Sequence, residues 1–185
     1  MTREELRAAL REHAYLEGEF VLRSGRRSAY YLDKYRFATQ PDVLRAVGAA
    51  LAAAVAELEP EAARLAAPEL GAVSLAAAAS LAAGIPFLIV RKEEKGHGTR
   101  NRLEGPFAPG ERVCLVEDVV TSGGAALAAI AALRAAALDC RTAVCVVDRE
   151  EGGAEQLGHH GVRLHPLFRA AELREDGKSA ANPHR

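Results

Sequence analysis

Apolar positions along this chain switch between helical and strand spacing. Leu6, Leu10 and Ala14 share one helical face, and Thr2 with Glu5 three residues on forms a capping box, so a helix is expected from Thr2. Two short strands, 19–22 and 28–32, are expected to flank Ser24-Gly25-Arg26-Arg27, a hairpin with a basic tip. Pro41 opens a second helix, with Val43, Val47, Leu51, Ala54 and Leu58 spaced as its buried stripe. Residues 64–67 form a weak strand that Pro68-Glu69-Leu70-Gly71 ends, and an alanine-rich helix then runs to about Ala83. Gly84-Ile85-Pro86 turns the chain into the buried strand Phe87-Leu88-Ile89-Val90. Later come an apolar run at 112–116, a helix striped by Leu127, Ile130 and Leu133, a strand at 141–147 and an edge strand at 163–168. The connection 91–109 has no hydrophobic period and is too long for a tight turn. This alternation predicts one α/β domain over 1–185: a central, mainly parallel sheet flanked by helices, a small N-terminal hood over 1–35 and a frayed polar tail at 176–185.

Candidate chemistry gathers after the run at 112–116. Glu117 and Asp118 place two carboxylates at the strand's carboxyl end, and Thr121-Ser122-Gly123-Gly124 leads into the next helix. A small, hydroxyl- and glycine-rich loop that opens a helix is a phosphate cradle: its amides are unpaired, the helix dipole is positive there, and glycine allows close approach. Open α/β sheets bind ligands at this edge. Two acids would repel a bare phosphate. They suit a ligand that joins a phosphate to vicinal hydroxyls, with a metal ion to offset the crowded charge.

Composition narrows the classes. The 185 residues suit one domain with a real core, and a net charge of -1 does not favour nucleic acid or a membrane surface as the main partner. No run of about eighteen apolar residues exists, and Met1-Thr2-Arg3-Glu4-Glu5 lacks an apolar signal core, so a cytoplasmic protein is expected. Cys114, Cys140 and Cys145 sit in apolar runs without C-x-x-C spacing and read as core residues in a reducing compartment. Histidines 13, 159, 160, 165 and 184 show no metal-ligand spacing. Lysine occurs only at 34, 92, 95 and 178, so two of these fall in the connection after Phe87-Leu88-Ile89-Val90. There Arg91, Lys92, Lys95, His97, Arg100 and Arg102 are interleaved with glycines, as suits a closing loop that neutralises an anionic leaving group.

The stretch from Val113 to Ala125 resembles the phosphoribosyl pyrophosphate (PRPP) motif of type I phosphoribosyltransferases, with Glu117 where many relatives carry Asp. Arg91-Lys92-Glu93-Glu94-Lys95-Gly96-His97-Gly98 resembles the R-K-E-x-K-x-H-G loop of the orotate phosphoribosyltransferases, and 22–31 their hood segment L-x-S-G-x-x-S-x-Y. The resemblance implies the type I phosphoribosyltransferase fold. It also implies conversion of orotate and PRPP to orotidine 5′-monophosphate and pyrophosphate in pyrimidine biosynthesis. By the same resemblance, Glu117 and Asp118 hold the ribose hydroxyls, while Val119, Val120, Thr121, Ser122, Gly123, Gly124 and Ala125 enclose the 5′-phosphate. Arg91, Lys92, Lys95 and His97 attend the pyrophosphate, with Lys95 and His97 catalytic beside the two acids. Arg149 reads the orotate carboxylate, helped by Thr121 and by Arg27, where many relatives have a lysine. Pro68-Glu69-Leu70-Gly71 matches the pyrophosphate loop, through its backbone alone. Tyr30 and Tyr31 are suited either to stacking on the base or to core packing. Mg2+ is implied as cofactor, carried mainly by PRPP and water with no direct protein ligand. A homodimer is implied too, the loop 91–109 reaching the neighbouring subunit. Rival expectations are a phosphoribosyltransferase for another base, or an RNA-binding regulator on the same fold.

Overall fold

The computed structural model describes residues 1–21, 25, 27–93 and 102–174. Its N-terminal part is a hood. Helix α1 (Arg3–Ala14) starts at the capping box, Thr2 accepting from Glu5 N and Glu5 from Thr2 N, and buries Leu6, Leu10 and Ala14. Strands β1 (Tyr15–Val21) and β2 (Arg27–Leu32) pair as an antiparallel ribbon, irregular between Glu17 and Phe20. The ribbon therefore begins earlier than the expected strand at 19–22. A short helix, α2 (Lys34–Ala38), follows, capped by Asp33 through Tyr35 N at 3.1 Å.

The rest is a layered α/β unit. It runs α3 (Pro41–Leu58), β3 (Arg64–Pro68), α4 (Gly71–Ala83), β4 (Phe87–Val90), β5 (Leu103–Glu104), β6 (Arg112–Val120), α5 (Gly124–Ala135), β7 (Asp139–Asp148), α6 (Gly153–His159), β8 (Arg163–Arg169) and α7 (Ala170–Arg174). The sheet order is β5-β4-β3-β6-β7-β8, parallel except for the pairing of β5 with β4. The connection after β4 thus holds an edge strand that periodicity did not show, because two residues carry no period. The stripe of α3 also turns: Val43, Val47, Leu51 and Val55 are buried, while Ala54 and Leu58 are only partly covered.

Strand alternation divides the core. Leu65, Ala67, Cys114 and Val116 pack with α1, α3 and α4, whereas Ala66, Val113 and Leu115 pack with α5 and α6. The chain after β3 therefore crosses one face and the chain after β6 crosses the other. Adjacent strands whose connections leave in opposite directions open a crevice at their carboxyl ends. All three cysteines are buried and free, and burial pushes each thiol up. Among the described residues, no helix is long and apolar enough to cross a membrane.

Candidate active site

Two helix N-termini face the crevice between β3 and β6. Helix α5 is entered through Gly123, whose φ of 83° is left-handed and where an added Cβ would press to 2.8 Å on Leu157 Cδ1. No side chain caps α5, so its first amides stay available, and Thr121, Ser122, Gly124 and Ala125 are exposed around them. Across the sheet, α4 begins at Gly71 without a side-chain cap, directly after Pro68-Glu69-Leu70. Both ends present amide donors and partial positive charge to the same gap.

Glu117 and Asp118 sit between them, and both are buried. They lie inside β6, which runs on to Val120 rather than ending before them. Burial pushes the Glu117 carboxyl up to about 8, and the charge of Asp118 adds to the shift. Asp118 accepts from Val119 N at 2.5 Å and pairs with Lys34 Nζ at 2.7 Å. That lysine is the site residue missed in the sequence reading. The signal was Asp33, a residue suited to cap a helix and hold Lys34 in its first turn, but nothing local tied it to a carboxylate far along the chain.

The other expected residues fall around this pair. Arg149 reaches the same edge, its N–H donating to Val120 O at 2.8 Å. Its guanidinium lies over the Tyr30 ring at 4.9 Å and pairs with Glu151 at 3.2 Å, and its buried Nε finds no acceptor among the described residues. Tyr30 is also stacked on Tyr15, with centroids 5.3 Å apart, so it is engaged in packing, whereas Tyr31 stays exposed against Phe20. Arg91 follows β4 and pairs with Glu104 at 3.4 Å, and Lys92 N donates to Glu69 Oε1 at 2.8 Å, joining the two loops. Glu69, Arg91, Lys92 and Ala125 border a cleft of about 120 Å³. The Arg27 side chain is exposed at the start of β2 and makes no hydrogen bond or ion pair among the described residues. Lys95 and His97 lie outside the described residues, as does the tail at 176–185. A larger cleft of about 700 Å³ lies elsewhere, between α1, the alanine face of α3 and β8, and contains none of these groups.

Among the described residues no three His, Cys, Asp or Glu side chains converge to hold a metal unaided. Two carboxylates beside amide-lined anion sites instead fit an ion that arrives with oxygen ligands of its own.

Residues 36–160 match the phosphoribosyl transferase domain family. The orotate phosphoribosyltransferase of Methanocella arvoryzae is 48% identical over 157 residues, which cover 84% of this chain and 87% of the relative. The crystal structure of Mycobacterium tuberculosis orotate phosphoribosyltransferase with Fe(III) dicitrate superposes with a TM-score of 0.83 at 31% identity, covering 93% of this chain and 98% of that one. The same enzyme in complex with PRPP gives 0.78 at 29% identity, covering 92% and 98%.

Proposed function

The chain belongs to the orotate phosphoribosyltransferases, within the phosphoribosyl transferase domain family, and from that premise we propose how its sheet edge carries out the reaction. The enzyme transfers the phosphoribosyl group of PRPP to orotate, releasing pyrophosphate and forming orotidine 5′-monophosphate for pyrimidine biosynthesis. One observation carries the site assignment: two uncapped helix N-termini open onto one crevice from opposite faces of the sheet, with two buried carboxylates between them. PRPP has two anionic ends joined by a ribose with vicinal hydroxyls, and it fits that order of groups.

The amides of Thr121, Ser122, Gly123, Gly124 and Ala125 take the 5′-phosphate, following Val119 and Val120 out of the sheet. Glu117 and Asp118 accept hydrogen bonds from the ribose hydroxyls. The amides of the Pro68-Glu69-Leu70-Gly71 loop grip the diphosphate, with Arg91 and Lys92 beside them and Lys95 and His97 arriving on the loop. Positive charge there favours departure of pyrophosphate, and His97 offers it a proton. Arg149 exchanges Glu151 for the orotate carboxylate, for which its buried and unpaired Nε is an available donor. Thr121 and Arg27 complete the orotate side. Bound on the diphosphate, Mg2+ supplies charge neutralisation between the substrate and the two acids. The assembly is a cytoplasmic homodimer in which the loop 91–109 of one subunit closes over its partner's site.

Loss of orotate absorbance with PRPP and Mg2+ tests this reading. Turnover with orotate, its abolition by a chelator, and no turnover of adenine, hypoxanthine or uracil are expected. Unchanged turnover in the chelator removes the magnesium assignment, and turnover of a purine removes the role given to Arg149.

A further inference from the structure

The pyrophosphate loop brings no cation of its own. In Pro68-Glu69-Leu70-Gly71 the one ionisable side chain is an acid, and its carboxylate is occupied by the Lys92 amide at 2.8 Å. Leu70 is exposed and α4 has no side-chain cap, so this loop itself offers the diphosphate backbone amides only. Yet a cation stands at that point. The ammonium of Lys34 is 2.7 Å from Asp118 Oδ2, and a Cβ added at Gly71 would come within 2.9 Å of that ammonium and 1.8 Å of that oxygen. Lys34, Asp118 and the first residue of α4 therefore meet at a single spot.

The two partners differ in exposure. The Asp118 side chain is 4% exposed and that of Lys34 38%, so the ammonium approaches a buried carboxylate from the open side. A buried carboxylate without a partner is costly, so Asp118 needs Lys34 while the crevice is empty. Once ribose hydroxyls donate to Asp118, that need is met by the substrate. An ammonium on a flexible four-carbon stem, already beside Gly71, can then turn to the diphosphate.

We propose that Lys34 is a substrate-binding cation that changes partner, neutralising Asp118 in the free enzyme and holding the diphosphate of PRPP once the ribose hydroxyls engage Asp118. This rests on the assignment of the crevice to PRPP. It follows that the diphosphate and the ribose hydroxyls bind cooperatively through one side chain. Burial works against the charge on Lys34, but the hydrogen bond and charge of Asp118 outweigh it and hold the amine above its ordinary value, so it enters the exchange as an ammonium.

Calorimetric titrations of PRPP, ribose 5-phosphate and inorganic pyrophosphate, each with Mg2+, test the exchange on the wild type, Lys34→Met and Lys34→Arg. Ribose 5-phosphate carries the 5′-phosphate and the hydroxyls but no diphosphate. Lys34→Met should weaken PRPP about 10-fold to 100-fold while ribose 5-phosphate stays within about threefold, and Lys34→Arg should recover part of the loss. Equal losses for PRPP and ribose 5-phosphate would show that Lys34 merely props up Asp118, and no loss for either would also overturn the proposal. Should Lys34→Met not fold, Lys34→Arg decides: its bulkier head group must weaken PRPP more than ribose 5-phosphate. A wild type that binds neither PRPP nor ribose 5-phosphate removes the site assignment itself, an outcome distinct from failure of the lysine alone.

Discussion

Adjacent positions on β6 point to opposite faces of the sheet, so Glu117 and Asp118 meet different surroundings despite being neighbours in sequence. Asp118 shares the face of Cys114 and Val116, toward α4 and Lys34, while Glu117 shares the face of Val113 and Leu115, toward α5. Burial raises the Glu117 carboxyl from its ordinary 4.5 to about 8. A carboxyl raised in this way keeps its proton in the fold over a range where the unfolded chain has lost it. The stability it contributes is full below about 4.5, declines as pH rises through the window, and is gone above about 8. Glu117→Gln cannot lose a proton. The unfolding free energy of the ligand-free variant should therefore gain on that of the wild type between about pH 4.5 and 8, by up to about 1.4 kcal/mol per pH unit. A gap that is constant across this range contradicts the assignment.

At the scale of elements, the two ends of the sheet serve different purposes. The carboxyl end carries loops with unpaired amides and acids. The other end is closed by Glu59, which terminates α3, accepts from Arg112 at the start of β6 at 2.8 Å and from Thr142 of β7 at 2.7 Å. Burial opposes the Glu59 charge, but these two hydrogen bonds outweigh it and hold the carboxyl below its usual value. Thr142 is fully buried, so Thr142→Val leaves a buried carboxylate oxygen short of a donor. A loss of about 1–3 kcal/mol in urea unfolding is expected, with kcat and the KM for PRPP unchanged. A change in KM would mean that the two ends are coupled. Elements were legible where length allowed a pattern to repeat: β4 and α4 fall where apolar runs and glycine signals put them. Helices α2, α6 and α7 have 5, 7 and 5 residues, too few to show a period, and they passed unseen.

For the whole molecule, the parallel sheet brings five strand ends to one edge, and the crevice lies where β3 and β6 send their connections to opposite faces. The hood is fastened to the far end of the chain: Arg3 pairs with Glu172 at 2.6 Å, and Arg11 donates to Leu173 O. The proposed closure of the loop over the neighbouring subunit makes a prediction at this scale. Lys95→Ala and Asp118→Asn should each be nearly inactive alone. After subunit exchange, half of the dimers carry both lesions on one shared site and keep the other intact, so about a quarter of wild-type activity should return. Exchange verified by native mass spectrometry without any recovery would place the loop over its own subunit.

The residues between Val113 and Ala125 carried their chemistry in sequence because a strand, two acids and a glycine-rich helix start are consecutive along the chain. Local order is enough to place a phosphate beside hydroxyl acceptors. What no local pattern could state is which distant groups share that spot. Lys34 lies on a five-residue helix of the hood and Gly71 on the start of α4, and neither segment has a sequence feature pointing to Asp118. Burial decided the rest: Asp118 is covered by the layers packed on its sheet face, and a covered carboxylate needs a cation that only tertiary contact can bring.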